Sequence, residues 1–268
     1  MGDSSSSHSR SVPGFSDIRW FDSIDSTNRY LLEEARTGAP HGVVAVADHQ
    51  TAGRGRLGRS WEAPPGSNLL VSVLLRLDLQ AEARHLASAA VALAAADAIG
   101  AETGLSPGIK WPNDLLAADG RKLAGVLAEA DMAAPPEHGH PPIVVGIGIN
   151  VGWPLSDDDL PEGLVGQATS LQQEVDCPVD RSALLDRLLQ YLGPRLTMLG
   201  TPEGRAGLAA DLRRQCVTIG SRVRVELPGS IIEGTATGLT DEGHLVVATD
   251  GGSETVVAGD VVHLRPAG

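Results

Sequence analysis

The segment from Gly53 to Arg59 reads GRGRLGR and places three arginines beside three glycines. Each guanidinium presents a planar set of donors that suits the oxygens of phosphate or carboxylate. The glycines Gly53, Gly55 and Gly58 let backbone N–H groups approach an anion closely, because no Cβ atom obstructs them. We therefore predict that this segment, called the arginine loop below, binds a multiply charged anion.

A dinucleotide-binding fold is one alternative for this loop, since its three glycines have the spacing G-x-G-x-x-G. That fingerprint must open a helix. Here the chain runs instead into Pro64, Pro65 and Gly66, a helix-breaking sequence. The sequence therefore argues against nicotinamide or flavin binding.

Small polar side chains precede the arginine loop. Ser26, Thr27 and Asn28 stand at the start of a predicted helix, where they either cap the helix or bind a polar ligand. Gln50 lies just before the loop, and its amide both donates and accepts hydrogen bonds. Together these residues could bind a neutral polar group.

Two segments after the loop add charged side chains. KWPND contains Lys110, Asn113 and Asp114, of which the last two either hold Mg²⁺ or shape a turn. RKLAG places Lys122 at the start of a predicted strand and leaves room for a ligand at Gly125. A single strand lysine indicates little without the other motifs.

Composition limits the classes of protein. The chain has 268 residues, 42% hydrophobic content, a formal net charge of −13 and a pI near 4.9, which argues against a nucleic-acid-binding protein. Its two cysteines, Cys177 and Cys216, exclude a disulfide framework and favour a cytoplasmic setting. No stretch has the ~18 consecutive apolar residues of a membrane-spanning helix, so we expect no membrane partner.

The residues with possible chemistry must be positioned by alternating helices and strands. Periodicity and turn signals predict strands over 43–47, 68–77, 109–111, 115–117, 122–129 and 143–149, and helices over 26–36, 81–102, 181–199 and 203–215. From Val217, five short alternating segments predict a small β-barrel that takes no part in catalysis. We divide the chain into a disordered lead-in (1–17), a catalytic domain (18–215) and the barrel (216–268).

In their order along the chain, DSTN, GRGRLGR, KWPND, GRKLAG and GIGIN resemble the motifs of biotin protein ligases over about residues 18 to 265. The resemblance implies an α+β fold: a mixed β-sheet with flanking helices, of the class II synthetase type, followed by an SH3-like barrel. It also implies two reactions. Biotin and ATP give biotinyl-5′-AMP and pyrophosphate, and a lysine of a biotin carboxyl carrier domain of an acyl-CoA carboxylase then takes the biotinyl group.

The resemblance also implies roles for individual residues. Lys122, Arg56 and Arg54 would be catalytic, offsetting the repulsion between the biotin carboxylate and the α-phosphate, and Asp114 would be a Mg²⁺ ligand. The residues assigned to biotin are Ser26, Thr27, Asn28, Gln50, Arg54, Gly55, Arg56, Lys122 and Gly125. Those assigned to ATP are Gly53, Arg56, Arg59, Trp61, Lys110, Asn113, Asp114 and Asn150.

Further expectations concern motion, DNA and assembly. We expect the arginine loop to be poorly ordered without ligand and to close over it. Either Trp61 or Trp111 packs beside the adenylate, or both are ordinary core residues. About 20 residues precede DSTN, too few for a helix-turn-helix domain, so we expect a ligase that does not bind DNA. The sequence leaves monomer and homodimer open.

Two alternatives to biotin ligation remain at this point. Lipoate or octanoate ligases and transferases share the implied fold and a lysine at the equivalent place, but they lack the GRGRLGR form of the loop. A non-enzymatic protein with an anion-binding loop and a peptide-binding barrel is the alternative from another class.

Overall fold

The computed structural model describes residues 12–15, 17–227, 229–257 and 259–264. A seven-stranded mixed sheet forms its larger part, with strand order β1-β2-β3-β7-β6-β5-β4. Only β1 and β2 pair in parallel; the other neighbours are antiparallel. The strands are β1 (Asp17–Phe21), β2 (Val43–Ala47), β3 (Leu69–Leu75), β4 (Gly108–Lys110), β5 (Asp114–Leu116), β6 (Lys122–Ala130) and β7 (Ile143–Ile149).

Helices cover both faces of this sheet. They are α1 (Thr27–Arg36), α2 (His85–Thr103), α3 (Leu171–Val175), α4 (Arg181–Met198) and α5 (Pro202–Gln215). All five residues of β2 are buried, because Val43, Ala45 and Ala47 pack in the cluster with α1 whereas the alternate residues, Val44 and Val46, pack in the cluster with α2 and α4. The predicted α+β architecture is confirmed.

The alanine-rich helix α2 lies in the middle of the larger core. It contacts β6, β7, α4 and α5, and small alanine side chains permit such close packing. By length and composition alone, Ala81–Thr103 could cross a membrane, but 67% of that window is buried inside the structure. Core packing therefore accounts for its apolar sequence.

A second sheet follows α5. Its antiparallel strands have the order β11-β10-β9-β8-β12, as the five predicted segments require, and their inward residues include Val223, Val225, Leu245 and Val247. Closure into an SH3-like barrel and the boundaries of the two domains stay predictions. The strands are β8 (Arg222–Leu227), β9 (Ser230–Leu239), β10 (Leu245–Thr249), β11 (Gly252–Val256) and β12 (Asp260–His263).

The predicted disordered lead-in was wrong at its C-terminal end. Phe15 is 1% exposed and belongs to the main core, and β1 begins at Asp17. The prediction followed the serine-rich composition of this segment, in which Phe15 and Asp17 form no periodic pattern. Arg19, just beyond it, is paired with Asp17 and Glu34. Residues 1–11 and 16 of the predicted lead-in lie outside the described residues.

Candidate active site

The start of α1 meets the end of β2 at one side of the site. Beyond the parallel pair β1–β2, an isolated bridge joins Ile24 to Gln50, which brings Gln50 beside the first turn of α1. Gln50 Oε1 accepts from the Thr27 N–H at 2.8 Å and from Thr27 Oγ1 at 3.0 Å. Ser26 caps α1, as predicted. This geometry brings together the polar residues Ser26, Thr27 and Gln50, which were predicted to bind biotin.

Two further residues complete this polar cluster, and sequence analysis missed both. Ser72 of β3 lies 2.7 Å from Thr27 Oγ1 and donates to Asn28 Oδ1 at 2.6 Å. Glu129 of β6 accepts from Asn28 Nδ2 at 2.8 Å. Ser72 is 1% exposed. Its signal in the sequence is that it is the one polar residue inside the apolar strand LLVSVLL.

Glycines on β6 and β7 allow other groups to lie directly against the sheet. A Cβ atom on Gly146 would stand 2.2 Å from Asn28 Oδ1, and one on Gly148 would stand 2.5 Å from Cε2 of Trp61. One on Gly125 would stand 3.0 Å from both Trp61 Cζ3 and Lys122 Nζ. The indole of Trp61 therefore rests on the glycine surface of the sheet.

The two tryptophans considered for the site have different environments. Trp61 lines the cavity between α1, β6 and β7, and its Nε1 is buried without a hydrogen-bond partner. Trp111 is 3% exposed and donates from Nε1 to the carbonyl of Gly243 at 3.1 Å. Trp111 is thus a core residue that joins the first sheet to the second, and it also borders a cavity between the arginine loop and α2. Which of the two tryptophans packs beside the adenylate stays a prediction.

Lys122 begins β6 and points into the same cavity. Its Nζ lies 2.7 Å from Asp114 Oδ1 and 5.4 Å from the centroid of the Trp61 ring. The Lys122 side chain keeps 33% of its surface exposed, so its ammonium can meet a ligand from solvent. The cavity itself is narrow, about 60 Å³, because the Trp61 indole lies across it.

The arginine loop is a short hairpin beside this cavity. The Gly55 N–H donates to the Arg59 carbonyl at 2.7 Å, and the Trp61 N–H donates to the Gly53 carbonyl at 3.0 Å. Arg54 extends back to Glu129 Oε2 at 2.9 Å. The closure of the loop on binding ligand stays a prediction.

The second sheet holds the other two arginines of the loop. Arg56 donates to Asn113 Oδ1 and to the Gly259 carbonyl, each at 3.0 Å, and Arg59 pairs with Asp260 Oδ2 at 2.5 Å. Burial lowers the pKa of Arg56, and the Asp260 and Asp114 carboxylates oppose that shift. A guanidinium stays charged under such conditions. The C-terminal sheet therefore positions positive charge at the site.

Most of the predicted site residues line one cavity. These are Ser26, Thr27, Asn28, Gln50, Arg54, Gly55, Arg56, Trp61, Asn113, Lys122 and Gly125. Arg59 lines an adjoining cavity of about 660 Å³, bordered by the arginine loop and α2. Gly53 lines a third cavity, on a different side of the loop, with Gln50 and Trp153.

Five predicted ATP residues lie outside the lining of the first cavity, and three of them, Asp114, Lys110 and Asn150, line none of the three cavities. Asp114 forms an ion pair with Lys122, which lines the first cavity. Lys110 lies on β4. Burial lowers the pKa of His263 in the second sheet, and the nearby charge of Lys110 lowers it further. Asn150 is 5% exposed, and its amide hydrogens go to the backbone carbonyls of Lys122 and Thr169. Its contact with adenine stays a prediction.

Asp114 provides one of the several ligands that a divalent cation requires. Asp114 Oδ1 is buried and has no aligned hydrogen bond, although the Lys122 ammonium lies close to it. Within the described ranges, no group of three or more His, Cys, Asp or Glu side chains converges on a point. The site thus offers one carboxylate, as do many Mg²⁺ sites whose remaining ligands are phosphates and water.

Comparison with protein families gives two matches. Residues 20–150 match the biotin/lipoate A/B protein ligase family, and residues 218–264 match the biotin protein ligase C-terminal domain. The first match spans α1, the arginine loop and Lys122. The second spans the sheet that contacts Arg56 and Arg59.

Individual proteins are similar over most of their length. The chain is 42% identical over 246 residues to the biotin–[acetyl-CoA-carboxylase] ligase of Mycobacterium tuberculosis, covering 90% of this chain and 86% of that protein. It is 32% identical to the bifunctional ligase/repressor BirA of Escherichia coli, covering 89% of this chain and 71% of that protein. The structure of the Aquifex aeolicus biotin protein ligase in complex with biotin and ATP superposes with a TM-score of 0.79 at 26% identity, covering 94% of this chain and 100% of that one.

Proposed function

Because the chain belongs to the biotin protein ligase family, we propose that the cavity between α1, the arginine loop and Lys122 is where it joins biotin to ATP. The activity is the ATP-dependent formation of biotinyl-5′-AMP and transfer of the biotinyl group to a lysine of a carboxylase carrier. In the first step a carboxylate oxygen of biotin attacks the α-phosphorus of ATP, and pyrophosphate leaves. In the second step the lysine amine attacks the acyl carbon, and AMP leaves.

The polar cluster at the start of α1 suits the ureido ring of biotin. That ring presents two N–H donors and one carbonyl acceptor, so it needs partners of both kinds in an otherwise apolar pocket. Thr27, Asn28 and Gln50 offer hydroxyl and amide groups, and Ser72 adds another hydroxyl. On binding, these side chains would replace hydrogen bonds to one another with hydrogen bonds to the ureido ring. Lipoate has no ureido group, so this cluster would favour biotin over lipoate.

The cationic side chains carry the first chemical step. Two anions must approach each other, and fixed positive charge lowers the barrier that their repulsion creates. Lys122, Arg54 and Arg56 all border the cavity. The observation that carries this proposal is that their charges converge beside a pocket whose other end is the Thr27–Gln50 cluster.

Mg²⁺ is proposed as the accompanying ion, with Asp114 as its protein ligand. When bound, it would neutralise phosphate charge. Asp114 has a second role without the ion, since its carboxylate orients the Lys122 ammonium at 2.7 Å. The adenine contacts of Trp61 and Asn150 and the phosphate contacts of Gly53, Arg59, Lys110 and Asn113 are proposed on the family resemblance.

Partner and setting follow from the same activity. We propose the biotin carboxyl carrier domain of an acyl-CoA carboxylase as the acceptor, in the cytoplasm, where thiols stay reduced. Both cysteines are free, which supports that setting. The net charge of −13 supports a ligase that does not bind DNA.

Isotope exchange between labelled pyrophosphate and ATP tests the function. Biotin-dependent exchange is the expected result, because adenylate formation is reversible. Exchange that depends on lipoate would identify the related ligase, and no exchange with either acid would favour a binding protein.

A further inference from the structure

Two buried asparagines lie at the end of the ladder between β3 and β7. Asn68 immediately precedes β3 and Asn150 immediately follows β7, and because Leu69 pairs with Ile149, the two asparagines face each other. Asn68 is fully buried and Asn150 nearly so. A buried amide without partners is costly, so the partners of these two side chains indicate what they hold in place.

Asn68 forms hydrogen bonds with both ends of its amide. Its Oδ1 accepts from the backbone N–H groups of Val151 at 3.0 Å and Trp153 at 3.2 Å. Its Nδ2 donates to Asn150 Oδ1 at 3.2 Å. The backbone N–H groups can only donate, so the Asn68 oxygen must face them and its nitrogen must face Asn150.

Asn150 links Asn68 to the start of β6, where Lys122 lies. Its Nδ2 donates to the carbonyls of Lys122 at 3.3 Å and Thr169 at 2.9 Å. Both carbonyls can only accept, so they require the Asn150 nitrogen on their side and its oxygen on the Asn68 side. The backbone N–H groups at the Asn68 end and the backbone carbonyls at the Asn150 end therefore require the same orientation of the two amides.

The main chain of Lys122 is thereby fixed from several directions. Its N–H donates to the Gln167 carbonyl at 2.8 Å, and its carbonyl accepts from the Thr169 N–H at 3.0 Å as well as from Asn150. A lysine side chain has four rotatable bonds, so the position of its ammonium depends first on where the Cα atom is held. A displacement of about 1 Å at a reacting group can cost about 100-fold in rate.

We propose that Asn68 is a positioning residue for Lys122 and acts on it through the amide of Asn150. Asn68 itself borders none of the cavities described above and does not contact the Lys122 side chain. It fixes the direction of the Asn150 amide, which in turn holds the carbonyl of Lys122 at the start of β6. This inference rests on the proposed role of Lys122 in adenylate formation.

Replacement of Asn68 by aspartate tests the proposal with little change in shape. In Asn68→Asp one oxygen still accepts from the Val151 and Trp153 N–H groups, but the other opposes Asn150 Oδ1. The Asn150 amide must then rotate and turn its oxygen toward the carbonyls of Lys122 and Thr169. We expect kcat/KM for biotin-dependent pyrophosphate exchange to fall about 10- to 100-fold.

A double-mutant cycle separates positioning from a general loss of structure. If Asn68 acts through Lys122, then Asn68→Asp lowers exchange in the wild-type background but by less than about twofold in the Lys122→Ala background. Leu188→Ala, in the core of α4, serves as the stability control; it should lower the melting temperature and leave kcat/KM unchanged below that temperature. Circular dichroism confirms folding, and Asn68→Ala, which adds no charge, replaces Asn68→Asp in the cycle if the aspartate variant does not fold.

The outcomes are distinguishable. The positioning role would be overturned if Asn68→Asp lowered the exchange rate by the same factor in both backgrounds, or if a folded Asn68→Asp variant kept full exchange activity. In either case the exchange activity of the wild-type protein would still support the proposed function. A wild-type protein without biotin-dependent exchange would contradict the proposed function, and this inference with it.

Discussion

The Lys122 ammonium lies 2.7 Å from Asp114 Oδ1, and Asp114 comes from the strand that neighbours β6 in the sheet. The ion pair joins KWPND to RKLAG, two segments that also meet through the strand pairing of Asp114 with Gly125. An anion that binds Lys122 must compete with this carboxylate. The pair therefore keeps the ammonium oriented and directed into the cavity that Trp61 and the arginine loop border.

Loss of the Lys122 charge should abolish most of the adenylation activity. We expect Lys122→Ala to lower biotin-dependent pyrophosphate exchange about 100- to 1000-fold, the typical cost of removing one group that stabilises transition-state charge. Arg187→Ala is the matched control, because Arg187 is a surface cation paired with Glu102 far from the cavity. Equal activity of the two variants would refute the role of Lys122.

The contact between the two sheets should restrain the arginine loop. Leu57 is 70% exposed at the tip of the loop, so thermolysin cleavage there reports opening. Asp260→Asn removes the partner of Arg59 and should raise the cleavage rate a few-fold, because an ion pair with a 65% exposed arginine contributes about 1 kcal/mol or less. Asp241→Asn, at an 89% exposed carboxylate paired with Arg213, should leave the rate unchanged.

Ligands should protect the same bond in the wild-type protein, since their phosphates neutralise the loop and favour closure. Biotin with ATP is expected to slow cleavage at Leu57 more than either compound alone. Cleavage at one rate under all these conditions would show that the loop does not close.

A side chain at Gly148 should disturb the biotin pocket. Its Cβ atom would stand 2.5 Å from Cε2 of Trp61, so Gly148→Ala must displace the indole from the sheet. We expect the affinity for biotin, measured by calorimetry, to fall at least tenfold, because the added methyl group occupies the glycine surface against which the ligand would rest. Gly163→Ala is the control because nothing lies within 4 Å of the atom it adds. Tight binding by Gly148→Ala would show that biotin does not rest against this part of the sheet.

Acid should destabilise the contact between α2 and the second sheet. Burial lowers the pKa of His85, whose Nε2 lies 2.6 Å from the Glu242 carbonyl. As the pH falls, the unfolded chain therefore takes up a proton at this residue at a higher pH than the folded protein does. The contribution of His85 to the free energy of unfolding is present above the unfolded pKa of about 6.5 and is lost as the pH falls below it.

The size of this effect can be measured by denaturant unfolding at pH 7 and pH 5. One such histidine contributes at most about 1.4 kcal/mol per pH unit. His85→Gln keeps a hydrogen-bonding side chain that does not titrate, and it should reduce the difference between the two pH values. An unchanged difference in this variant would assign the pH dependence to other groups, such as His41, whose pKa is also lowered by desolvation.

The sequence predicted the parts of the site that are local in the chain. The glycines and arginines of the arginine loop and the hydroxyls at the start of α1 are contiguous, and their chemistry can be read from residue type alone. Ser26 as a helix cap and Lys122 facing the cavity both follow from local rules of helix starts and strand alternation.

Contacts between distant segments could not be predicted in the same way. Asp260 meets Arg59 and the Gly259 carbonyl meets Arg56 across about 200 residues, so the sheet that was expected to take no part in catalysis supports the arginine loop. Glu129 pairs with both Asn28 and Arg54, and nothing in its local sequence indicates either partner. Such pairings depend on strand order, which local patterns do not specify.

Chemical modification of amines reports directly whether ligands occupy the cavity at Lys122, because Lys110 and Lys122 are the only lysines in the sequence. Peptide mapping by mass spectrometry resolves both, and the α-amino group serves as an internal reference for reagent activity. We expect biotin with ATP to lower modification of Lys122 at least tenfold while the α-amino group reacts as before. Equal modification of Lys122 with and without the two ligands would contradict the assignment of this cavity.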